Sequence, residues 1–238
     1  MKKFLSFILS IATIAAICYG VYTYILPQDS HKEYKEDFGY NVENIVIGAS
    51  LLQIKVKDGD SFAIEYEGSE NVCPVCTYDE GSRTLNINQP EYKPKKKKIS
   101  DENELTIYIP EGAKLTSFDL TDNIGDVNLG DISADTIKLM IDLGSVKGDK
   151  IVTNKLSVEA NLGDVDIEEC SSKDISIVSN MGNVELGITD DIKDYAISAS
   201  SSLGEVKIGS DKHKKNYVQT GNAGSIMINC NLGNVEIN

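Results

Sequence analysis

The chain has 238 residues, 41% of them apolar and 25% charged, which is the balance of a folded protein and not of a disordered one. Lys and Arg total 23 against 37 Asp and Glu, a net charge of −14, which excludes nucleic acid as the main partner because phosphate binding needs basic side chains. Two histidines leave little room for a His-based metal or acid–base centre, and tryptophan is absent.

In chain order, Met1-Lys2-Lys3 precedes an uncharged apolar run from Phe4 to Leu26. Its 23 residues suffice to cross a hydrocarbon core of about 30 Å at roughly 1.5 Å per residue. Residues 1–28 are therefore expected to be a cytoplasmic stub and a signal-anchor helix, with residues 29–41 as a juxtamembrane linker. Lys2 and Lys3 favour an inside N-terminus and an extracytoplasmic remainder, so the expected location is the cell membrane, single-pass. A cleaved signal peptide is the competing reading, but no A-x-A site closes the run.

Residues 42–110 alternate irregularly, as in Leu52-Gln53-Ile54-Lys55-Val56 and Leu105-Thr106-Ile107-Tyr108-Ile109, with turns at Asp58-Gly59 and Glu80-Gly81. Within this part, Cys73-Pro74-Val75-Cys76 forms a C-x-x-C between strands. Thiol–disulfide chemistry wants that motif at a helix N-terminus, and none is expected here. The pair reads as a local disulfide; free thiols and a metal or redox role are the other readings. Residues 89–104 hold Pro90, Pro94 and the run Lys95, Lys96, Lys97, Lys98. That loop is a solvated linker or a contact for an anionic surface such as wall polymer or lipid headgroups.

Residues 111–238 repeat. A polar residue, an apolar one, Gly, a polar one and Val or Ile recur around Gly125, Gly144, Gly163, Gly182, Gly204, Gly224 and Gly233. The glycines step by 19, 19, 19, 22, 20 and 9. Upstream of each glycine the pattern has period two, as in Ile137-Leu139-Ile141-Leu143 and Leu156-Val158-Ala160-Leu162, which specifies strands with one buried face. The expectation is all-β: a parallel β-solenoid with coils of about 19 residues, glycine at each corner, and a C-terminal cap. Asn two before most corner glycines suggests a hydrogen-bonded amide ladder. Cys170 and Cys230 fall at inward positions and read as small core residues.

The order of these pieces, from Ile45 to Gly68 through Leu105–Pro110 to the serial Gly-[Asp/Ser/Asn/Glu]-Val units, resembles the bacterial "putative adhesin" family of β-strand-repeat proteins, DUF4097, over about residues 42–238. The resemblance implies a β-solenoid, often membrane-tethered in Gram-positive bacteria and sometimes tied to envelope-stress systems. It implies no catalytic residues and no cofactor.

No enzyme is expected. The outward acids Asp126, Asp164, Asp166, Glu185 and Glu205 are spread along the repeat, and neither His31 nor His213 lies near a nucleophile pattern. The expected function is a binding or scaffold module of the envelope, facing an envelope polymer or surface protein, with a stress-regulatory or self-assembling structural role as the alternative. Solenoid ends would allow homo-oligomers.

Overall fold

A computed structural model describes residues 15, 30–39, 41–91 and 102–238. Beyond residue 30 the described elements are strands and two short 3-10 turns, Glu70–Val72 and Ile192–Asp194. The strands are β1 (His31–Gly39), β2 (Asn44–Ala49), β3 (Gln53–Gly59), β4 (Phe62–Ser69), β5 (Val75–Asp79), β6 (Thr84–Asn88) and β7 (Glu104–Pro110). They continue as β8 (Leu115–Ile124), β9 (Val127–Asn128), β10 (Asp131–Leu143), β11 (Val146–Leu162), β12 (Val165–Met181) and β13 (Val184–Ile188). The last are β14 (Tyr195–Leu203), β15 (Val206–Ile208), β16 (Asp211–His213), β17 (Asn216–Gln219), β18 (Gly224–Leu232) and β19 (Val235–Ile237).

The central layers pair in parallel at the predicted step. Ile137 aligns with Leu156 and Leu156 with Ile175, while Val146 aligns with Val165 and Val165 with Val184. Period-two side chains thereby stack into buried columns. One runs Phe118, Ile137, Leu156, Ile175, Ile226, Ile197; another is all valine, Val127, Val146, Val165, Val184, Val235, Val206. Every member of both is at most 2% exposed, so one layer alone could not shield its apolar side and the stack forms a single core.

The structure corrects the expected fold class. All 19 strands among the described residues join one sheet of mixed orientation that wraps the core as a nearly closed barrel, in place of a parallel β-solenoid. Antiparallel pairs β1–β4, β4–β7 and β5–β6 close one end, and β14–β17 with β15–β16 close the other. The physical reason is edge protection: a terminal parallel strand exposes a row of unpaired amides, and a strand folded back on it pairs them. Nor is a membrane-spanning helix found: no helix among the described residues is long and apolar enough to cross a membrane. The predicted signal-anchor falls almost wholly outside the described residues.

The end of the chain is also rearranged. Strand β18 lies between β12 and β14, and β19 between β13 and β15, so the last strands enter the sheet ahead of those that precede them in sequence. This intercalation explains why the glycine spacing departs from 19 after Gly182. Six of the seven expected corners form one column, in the spatial order Gly125, Gly144, Gly163, Gly182, Gly233, Gly204. Gly224 is not a corner; it opens β18 opposite Tyr195. Residues 31–39, within the expected linker, form β1, whose Tyr34 and Phe38 pack on the core while the strand stays mostly polar.

Candidate functional site

The corners create the feature that most resembles a contact surface. In β10 the alternation holds through Ile141, then both Asp142 and Leu143 are exposed before Gly144 turns the chain and Val146 points inward again. Gly144, Gly163 and Gly182 have φ of 147–150°, a conformation that a Cβ disfavours. Each corner is pinned by a backbone bond: Gly144 N–H donates to the Leu162 carbonyl and Gly163 N–H to that of Met181, both at 2.9 Å. With the backbone held this way, the residue before each glycine turns outward.

The outcome is a straight apolar ridge of Ile124, Leu143, Leu162, Met181, Leu232 and Leu203, neighbours in register across six layers. They are 43–69% exposed, and five strand spacings of about 4.8 Å make the ridge roughly 24 Å long. Other exposed apolar side chains do not line up: Val152 lies between Ser133 and Ser171, and Val178 between Glu159 and Asn229. Period-two reasoning placed the ridge residues inside; the signal that could have found them is the glycine that follows each.

Two polar columns flank the ridge. On one side the predicted ladder is present: Asn161 donates to Asp142 at 2.7 Å, Asn180 to Asn161 at 2.5 Å and Asn231 to Asn180 at 2.7 Å. On the other side, carboxylate and amide oxygens accept from the next layer's backbone. Ser145 N–H donates to Asp126 at 2.8 Å, Asn183 N–H to Asp164 at 2.6 Å and Glu205 N–H to Asn234 at 3.0 Å. These bonds fix the flanks, so the ridge is a rigid, acid-bordered strip.

The remaining predicted residues do not join it. Lys95, Lys96, Lys97 and Lys98 lie outside the described residues. Cys73 and Cys76 stand as free thiols around Tyr34, whose hydroxyl lies 3.1 Å from Cys76 Sγ and 3.4 Å from the Pro74 carbonyl it donates to. Burial pushes the Cys76 thiol up to about 11 and raises that of Cys73, the reverse of the activation a redox catalyst needs. Cys170 and Cys230 are buried, as expected, and burial raises Cys170 to about 12. Alkylation of the folded, reduced protein with iodoacetamide is therefore expected to modify Cys73 first and Cys76 slowly. Cys170 and Cys230 should react only after unfolding; equal rates at all four would contradict this packing. Label excluded from Cys73 and Cys76 until reductant is added would report the disulfide.

Sequence reasoning passed over Asp122. It occupies the inward slot held in later layers by Ile141, Ala160, Ser179 and Cys230, fully buried in front of Gly125. Its Oδ1 accepts from Ile124 N–H at 3.3 Å, while Oδ2 has no hydrogen-bond partner. Burial lifts the carboxyl to about 7.

Comparison with known proteins agrees with this architecture. The family model described as Toastrack DUF4097 matches residues 42–237. Among solved structures, a "putative cell adhesion protein" from Clostridium sporogenes is 18% identical with a TM-score of 0.52, covering 87% of this chain and 99% of its own. A "putative adhesin" from Bacteroides fragilis is 12% identical with a TM-score of 0.48, covering 90% and 99%. No match is found among curated proteins. With residues 42–237 matched by that model, the chain belongs to the Toastrack DUF4097 family.

Proposed function

We propose that this chain is a non-catalytic binding module of the bacterial envelope that holds a protein partner along the apolar ridge. The ridge carries the proposal: six large apolar side chains stay exposed in one line although the fold has a well-filled core to receive such residues. The uncharged run Phe4–Leu26 supports an extracytoplasmic location. The partner's chemistry follows from the borders. Asp126, Asp142, Asp164 and Glu205 flank the ridge on a chain of net charge −14, so the complementary surface is an apolar strip bordered by Lys or Arg. Two copies meeting ridge to ridge would instead oppose acid to acid.

The test replaces three central side chains at once with a small neutral polar residue, as Leu143→Ser, Leu162→Ser and Met181→Ser. Each is already half exposed, so unfolding stability should change by less than about 1 kcal/mol per site. Binding of the chain to intact bacterial envelopes should fall at least about a hundredfold, since buried anchors carry most interface energy. Unchanged envelope binding would refute the ridge as the contact. A dimer in sedimentation that the triple variant abolishes would identify the partner as a second copy instead.

A further inference from the structure

We infer a second site, away from the ridge and independent of the reading above: a surface zinc clasp made by His31, Glu33 and Glu67. β1 runs antiparallel to β4, with Glu33 directly opposite Glu67 and His31 two residues before Glu33 on the same side of the strand. His31 Nε2 lies 3.0 Å from Glu33 Oε1 and 3.9 Å from Glu67 Oε1, and all three donor atoms fall within 4.8 Å of one another. Directly opposed like charges weaken an antiparallel pair. A strand that keeps two carboxylates face to face, with an imidazole aimed between them, has the arrangement a cation completes.

The donor set selects the ion. One imidazole nitrogen and two carboxylate oxygens match Zn²⁺, which takes N and O ligands at about 2.0–2.2 Å in tetrahedral geometry, with water in the fourth position. Ca²⁺ takes six to eight oxygen ligands and has no use for imidazole. The two separations from His31 Nε2, 3.0 and 3.9 Å, bracket the roughly 3.4 Å between ligand atoms of such a tetrahedron. All three side chains are exposed, so they can close on the ion by rotamer changes without moving the strands. Zinc would then crosslink the start of β1 to the end of β4. The two histidines of this chain made such a centre unexpected, but one is enough when the strand register supplies the carboxylates.

The experiment is calorimetric titration of the purified full chain with zinc chloride at pH 7.5. It is done in a Cys73→Ser, Cys76→Ser background, because free thiols are competing zinc ligands. One ion is expected to bind per chain, with affinity lowered at least about tenfold by His31→Ala and by Glu67→Gln, each removing one of three protein ligands. Calcium chloride should give no comparable heat. Amide exchange over residues 31–39 and 62–69 should slow when zinc is added, and not in the His31→Ala variant. Absence of binding, binding indifferent to both substitutions, or binding that leaves β1 exchange unchanged would each overturn the clasp.

Discussion

Gly163→Ala is expected to destabilise the protein by more than about 3 kcal/mol. The added Cβ would lie 1.9 Å from the Gly144 carbonyl oxygen and 2.5 Å from its carbon, both backbone atoms of the layer beneath. Gly144 has little room to give way, because the same close stacking recurs beneath it: a Cβ built there would lie 2.1 Å from the Gly125 carbonyl oxygen. Alanine would also be strained at the φ of 150° that position 163 adopts. The layers would have to part, breaking the corner bonds and the core columns beside them. Gly209→Ala is the control. It has a φ of 55° with nothing within 4 Å of the Cβ, so only the left-handed backbone penalty of about 1 kcal/mol applies. Urea denaturation of the two variants measures the contrast; equal losses would contradict the corner packing.

The second large effect is a pH dependence set by Asp122. The carboxyl titrates near 3.8 when free in the unfolded chain and near 7 when buried here. The folded state therefore holds the proton more tightly. Stability from this residue is complete below about pH 4, declines as pH rises from 4 to 7, and stays reduced above that. A shift of this size corresponds to at most about 4 kcal/mol. Sister corners show what the slot prefers: Ser201 Oγ donates to the Gly233 carbonyl at 2.7 Å and Ser179 Oγ to that of Gly182 at 3.3 Å. Asp122→Asn keeps the shape and removes the charge. It is expected to unfold at higher urea than the parent at pH 8, and at nearly the same urea at pH 4. Parallel pH profiles for the two proteins would show that Asp122 ionises without cost.

Much of the fold was legible because its determinants are local and periodic. A 19-residue step with alternating apolar residues defines stacked strands before any contact is known, and the inward columns at Ile137, Leu156 and Ile175 follow from it. Long-range placement was not legible. Strand β18 carries the same inward pattern as β14, so nothing local says which of them lies next to β12. The antiparallel end strands were hidden for a related reason: β1 is charged and mostly exposed, and its pairing with β4 depends on an edge that exists only after the layers have stacked. The ridge was missed because period two continues on paper through Leu143 and Leu162, while in space the glycine after each reverses the direction of the side chain. Asp122 was passed over because it sits within the alternation like its neighbours. Its consequence depends on burial and on an orphaned oxygen, which the sequence pattern does not carry.

Whether the ridge is the face that meets a partner is tested most directly by in-cell photo-crosslinking. A benzophenone amino acid would replace Met181 on the ridge or, in a separate variant, Glu169, an exposed residue of the same strand β12 away from it. A discrete protein adduct is expected from position 181, lost when Leu143→Ser and Leu162→Ser are added, and none from position 169. Adducts of equal yield from both positions, or from neither, would contradict that role of the ridge.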